Sequence, residues 1–165
     1  MTYFELFSIP VQLKVDTKAL NSTFIKLSRQ YHPDYFAVAS DEEQAKALQQ
    51  SALLNSAWKT FQNPDETIKY VLSIKGMLET DEKYQLDPSF LMDVMELNEK
   101  LMEGEETPAS LLEQLNAFYA SIYENVANAI ENYKEGQTSE KELLEVKEYY
   151  FQKKYLDRIK TGLQK

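Results

Sequence analysis

Helix starts recur along this chain so densely that they leave little room for any other secondary structure. Thr2 and Glu5 have the spacing of a capping box, in which each side chain satisfies an amide that the first helical turn leaves unpaired. Ser40 and Glu43 repeat it, and Ser139 and Glu142 frame another start. Asp87-Pro88 and Thr107-Pro108 each set a capping side chain before a proline in the first turn, where the missing N–H costs nothing. The stops are as plain: Pro10, Asn63-Pro64, Gly76 and Gly136. No alternating strand pattern of useful length and no internal repeat interrupts these signals.

The punctuation predicts seven helices. The first runs to about Ile9, and the second from about Thr17 to Tyr31 behind Asp16 as cap, with Leu20, Phe24, Leu27 and Tyr31 forming one stripe. A third opens at Ser40, carries Leu54, Ala57, Trp58 and Phe61, and stops at Asn63-Pro64; a short fourth carries Ile68, Val71 and Leu72. The later helices run from Pro88 to about Glu103, from Pro108 to about Glu135, and from about Glu140 to Gly162. Residues 77–86 read as a polar linker. Short connections after residue 88 predict antiparallel packing as a three-helix bundle. The expected fold is all-α: an N-terminal helical domain over 1–76, a linker over 77–86 and a C-terminal three-helix bundle over 87–165.

Composition narrows the function. A net charge of -9 argues against a broad grip on nucleic acid or anionic membrane, because such surfaces are basic. With no cysteine, disulfides, thiolate metal sites and cysteine catalysis are excluded. No apolar run approaches a membrane span, and Met1-Thr2-Tyr3-Phe4-Glu5 is not the start of a signal peptide, so a cytoplasmic protein is expected.

His32 is the only histidine, and it lies in Leu27-Ser28-Arg29-Gln30-Tyr31-His32-Pro33-Asp34, where a basic-faced amphipathic helix ends. As an acid or base it has no cysteine or motif serine to serve, and as a metal ligand it lacks companions. It could simply cap the end of helix two. Yet Pro33 drives His32 out of helical geometry, so that His32 and Asp34 project from a stiff bend neither helix core requires, as contact residues do.

The helix from Pro88 poses a second question. Phe90, Val94, Leu97 and Leu101 form a narrow stripe, the natural core face. Leu91, Met92 and Met95, with Glu96 and Glu99, centre roughly 160° away. A second apolar patch edged by carboxylates is either a binding surface, which methionine suits, or packing against another part of the chain.

The opening Tyr3-Phe4-Glu5-Leu6-Phe7, the His32-Pro33-Asp34 loop, and Leu54-Asn55-Ser56-Ala57-Trp58 running to Asn63-Pro64 together resemble a J-domain, across residues 1–75. The resemblance implies a helical hairpin with short flanking helices that stimulates ATP hydrolysis by a DnaK-type chaperone. It implies docking through Lys26, Arg29, His32, Pro33 and Asp34. Tyr35 stands where many J-domains have lysine, and helix two is less basic than in many relatives, so docking is weaker or tuned to a particular chaperone.

The whole chain further resembles the HscB family, co-chaperones of iron–sulfur cluster assembly, through Phe90-Leu91-Met92, the acidic repeat behind it and Tyr155-Leu156-Asp157-Arg158-Ile159. That resemblance implies two partners, the chaperone HscA and the scaffold protein IscU. It assigns scaffold binding to Leu91, Met92, Met95, Glu96, Glu99 and Tyr155, with Met95 where leucine is usual and Tyr155 where phenylalanine is common. It implies no cofactor, no metal site and no covalent chemistry of the chain's own. Two other readings stay open: a J-domain co-chaperone with a different client, and a non-catalytic helical adaptor with no chaperone link.

Overall fold

The computed structural model describes residues 1–163, whose regular elements are all helical with no strand among them. Gln164 and Lys165, the end of the expected bundle, lie outside the described residues. The helices are α1 (Tyr3–Leu6), α2 (Thr17–Gln30), α3 (Asp41–Phe61), α4 (Pro64–Ile74), α5 (Pro88–Glu103), α6 (Pro108–Glu124), α7 (Ala127–Glu131) and α8 (Glu140–Leu163), with a 3-10 turn over Pro33–Phe36. The chain divides into two compact units. One holds Met1–Val71 with Tyr133–Glu135, and the other holds Leu72–Asn132 with Gly136–Lys165. That division falls inside α4, ahead of Gly76.

In the first unit, Phe4, Leu6, Phe7, Leu54, Ala57, Phe61, Ile68 and Val71 are buried. Tyr3 stacks on Tyr70 at 4.2 Å between ring centroids, and the Tyr3 N–H donates to the Tyr70 hydroxyl at 3.0 Å. The α2 stripe of Leu20, Phe24, Leu27 and Tyr31 is half-buried, and Phe24 stacks on Trp58 of α3 at 4.6 Å. The α3–α4 joint is locked: the buried Thr67 hydroxyl donates to the Thr60 and Asn63 carbonyls, and Asn63 Oδ1 caps the Asp65 and Glu66 amides. The Thr2–Glu5 capping box forms as expected, but α1 stops at Leu6, short of Ile9. Ser8 turns left-handed at φ 56°, and the Ile9 N–H reaches back to the Phe4 carbonyl at 3.0 Å, closing the helix before Pro10 can.

In the second unit, Phe90, Val94, Leu97, Leu111, Leu115, Ile122 and Leu156 make one buried cluster, joined by α5, α6 and α8. Leu101 packs against it half-buried, so the whole predicted α5 stripe faces inward. The Thr107 hydroxyl accepts from the Ser110 N–H, and Ser139 and Glu142 complete a reciprocal box. Asp87 caps by position alone and makes no side-chain bond to the helix.

The expected continuous helix from 108 to 135 breaks after Glu124. Val126 takes φ -121°, ψ 1°, and its N–H bonds three residues back to Tyr123, where α-helix geometry needs four. Asn125 and Asn128 give weak local support for helix, and the tightened turn lets Val126, Ala129 and Ile130 all bury, with α7 packed on α8.

Residues 77–86 form no helix but lie along α8. Tyr84 stacks on Phe151 with centroids 4.6 Å apart, its hydroxyl donates to Glu148, and Lys147 pairs with Glu82 at 2.8 Å. The Lys147 ammonium and the Glu79 N–H hold the Glu82 carboxyl below the usual range.

Candidate functional site

The His32 loop is built by local constraints at each end. The Tyr31 N–H closes α2 on the Leu27 carbonyl at 3.0 Å. His32 is then extended (φ -65°, ψ 131°), as the following proline requires, and Pro33 opens the 3-10 turn. The His32 Nδ1 accepts the Asp34 N–H at 3.2 Å, and the His32 carbonyl accepts the Tyr35 N–H at 3.0 Å. At the far end, the Gln44 side-chain amide donates to the Ala37 and Ala39 carbonyls, tying the loop to α3.

This geometry says what His32 does. A ring nitrogen that accepts an N–H is unprotonated, so the proton of a neutral ring sits on Nε2. The ring acts as the N-cap of the turn and sets the direction of Asp34, whose side chain is 92% exposed. The Asp34 Oδ2 lies 3.6 Å from Nδ1. Its carboxylate therefore stands in solvent on a backbone fixed from both sides.

Lys26 and Arg29, exposed on α2, lie beside this loop. One shallow groove is bordered by Ile25, Lys26, Arg29 and Tyr35, and a neighbouring one by Arg29, His32, Asp34 and Tyr35. All five residues expected to dock a chaperone thus lie on α2 and the turn that follows it. Tyr35, noted from sequence only as a departure from lysine, borders both grooves. Its signal was the position itself, the third residue of a rigid turn.

On α5 the structure separates two faces. Phe90, Val94 and Leu97 are buried, whereas Met92 is 71% and Met95 51% exposed, with Glu96 and Glu99 exposed among them. Leu91 lies at the edge and is half-buried. Tyr155 of α8 is half-buried against the core cluster, edge-on to Phe90 at 6.3 Å, which places it next to the helix that carries the methionines. The Arg158 guanidinium lies 5.7 Å over the Tyr155 ring. Arg158 follows Tyr155 by three residues on α8, a spacing that puts the two on one helix face and is legible in the sequence. Among the described residues no group of three or more carboxylates and histidine is placed to hold a metal.

Residues 86–164 match the family described as the HSCB C-terminal oligomerisation domain. The chaperone HscB from Vibrio cholerae is 28% identical, with 99% of this chain and 96% of that one covered and a TM-score of 0.71. The human co-chaperone protein HscB is 29% identical, with 99% of this chain and 81% of that one covered and a TM-score of 0.77. The C-terminal bundle belongs to that family, and the chain as a whole is similar to the HscB chaperones. Both HscB structures match over the His32 loop as well as the bundle, since almost the whole chain is covered. No described helix of this HscB-like chain is long and apolar enough to cross a membrane.

Proposed function

We propose that this HscB-like chain is a non-catalytic co-chaperone of iron–sulfur cluster assembly in the cytoplasm, with two working faces. The first, on a J-domain over residues 1–76, is Lys26, Arg29, His32, Pro33 and Asp34, which dock on a DnaK/HscA-type chaperone and stimulate its ATPase. The second, on the bundle over residues 87–165, is Leu91, Met92, Met95, Glu96, Glu99 and Tyr155, which bind the scaffold protein IscU and deliver it. Residues 77–86 connect the two.

The observation that carries the reading is the Asp34 carboxylate, held in solvent by a backbone bonded at both ends. A charged acceptor on a backbone fixed in this way is ready for bonds from an arginine on the partner with little further backbone ordering. Such a bond to a charged group contributes about 1.5–3 kcal/mol. Lys26 and Arg29 speed encounter with an acidic surface. Support for the second face is energetic: leaving a methionine in water forgoes about 1.5–3 kcal/mol relative to burial. Two methionines exposed side by side on a helix whose other face packs into the bundle core fit a surface that a partner covers.

Steady-state ATPase assays with the cognate chaperone test the first face. Asp34→Asn keeps the backbone N–H that His32 caps and removes only the charge. Stimulation is expected to fall at least tenfold, in line with about 1.4 kcal/mol or more. Stimulation equal to wild type would refute the J-domain reading.

A further inference from the structure

The docking face contains an aromatic side chain that its charged residues do not explain. Tyr35 is 70% exposed, yet its backbone is fixed, with its N–H bonded to the His32 carbonyl in the Pro33–Phe36 turn. In a 3-10 turn successive side chains diverge by about a third of a revolution, so one residue can face the helices while its neighbours face solvent. Phe36 takes the inward role, half-buried beside Tyr31 and Ala47. Tyr35 is left outside, where packing does not need it.

Its surroundings give it a use. Tyr35 shares one groove with Ile25, Lys26 and Arg29, whose lining holds two cations and no carboxylate in a chain of net charge -9. Ile25 is itself exposed. The same ring borders the second groove with Arg29, His32 and Asp34. A rigid aromatic with few rotatable bonds, next to an arginine and an exposed aliphatic residue, is the composition at which binding energy concentrates in protein interfaces. The phenol can donate one hydrogen bond to a carboxylate and brings no charge.

Resting on the chaperone-docking reading above, we infer that Tyr35 is a specificity-determining contact. It selects a chaperone whose acidic docking surface includes an apolar recess, and it replaces part of a charge-driven attraction with contact that salt screens little. The cations steer, Asp34 triggers, and Tyr35 with Ile25 decides which chaperone is held.

The test is ATPase stimulation of the cognate DnaK-type chaperone, titrated with wild type, Tyr35→Ala, Tyr35→Lys and Asp34→Asn. Tyr35→Ala is expected to raise the half-maximal concentration about tenfold and to leave maximal stimulation intact, because Asp34 and its cap are untouched. Tyr35→Lys should approach wild type at about 0.05 M salt and lose affinity more steeply than wild type by about 0.3 M. If Asp34→Asn abolishes stimulation but Tyr35→Ala leaves the half-maximal concentration unchanged, the Tyr35 inference is overturned and the docking reading stands. A Tyr35→Ala effect on maximal stimulation alone also overturns it, since the residue would then act through the loop. If Asp34→Asn stimulates like wild type, both fall together. Matching circular dichroism spectra and unfolding midpoints for the exposed-site variants exclude misfolding as the cause.

Discussion

Tyr84 shows how far a single side chain can depart from its local sequence context. It belongs to the polar stretch 77–86, yet its ring stacks on Phe151 and its hydroxyl donates to Glu148. Burial pushes the phenol up to about 12, and the Glu148 carboxylate, which accepts the proton's bond and repels a phenolate, pushes the same way. A folded-state value above the unfolded value of 10 means that the folded chain binds more protons between the two. This contribution is therefore complete below pH 10 and lost as pH rises from about 10 to about 12. Urea unfolding of wild type and Tyr84→Phe at rising pH checks it: wild type should lose the larger share of its stability across that window. Parallel losses in the two proteins would show that the Tyr84–Glu148 bond does not form in solution. Nothing local pointed to this bond, because its partners are far apart in sequence. His32-Pro33-Asp34 was legible for the opposite reason: proline restricts its own φ and its neighbour's ψ, and the cap reaches only two residues.

Glycine at the ends of elements separates backbone geometry from packing. Gly104 closes α5 at φ 68°, and an added Cβ there would meet nothing within 4 Å. Gly104→Ala should destabilise the bundle by about 1 kcal/mol, entirely through left-handed strain. Gly162, near the end of α8 and not left-handed, also has open space around it. Gly162→Ala should stabilise by a few tenths of a kcal/mol, reduced from the mid-helix value because helix ends fray. Chemical unfolding of the two variants beside wild type should move in opposite directions. Starts and stops such as Thr107, Ser139 and Gly76 are readable from sequence because a cap is a local bond. The break at Val126 is not. Ile122, Val126, Ala129 and Ile130 keep helical spacing across it, and the turn exists because α7 packs on α8.

At the scale of the whole molecule, the issue is which apolar residues stabilise the fold and which are left for a partner. Leu97 is buried in the bundle core, and Leu97→Ala should cost about 2–5 kcal/mol of stability. Met92→Ala with Met95→Ala should move the unfolding midpoint little and weaken IscU binding at least tenfold by titration calorimetry. Unchanged affinity would remove the client face from the proposed function. The sequence alone determined an all-helical chain, most helix limits, the inward stripe from Phe90 to Leu101, and a loop whose Asp34 must project. All of these follow from capping bonds, proline and the helical period, which act within a few residues. Only the tertiary structure decided that Met92 and Met95 stay in water while Leu91 is half-covered, that residues 77–86 are tied to α8, and that Tyr35 borders both grooves beside the loop. A helical wheel orders side chains by angle. Which angles meet solvent depends on helices that arrive from far along the chain, and local periodicity carries no record of them.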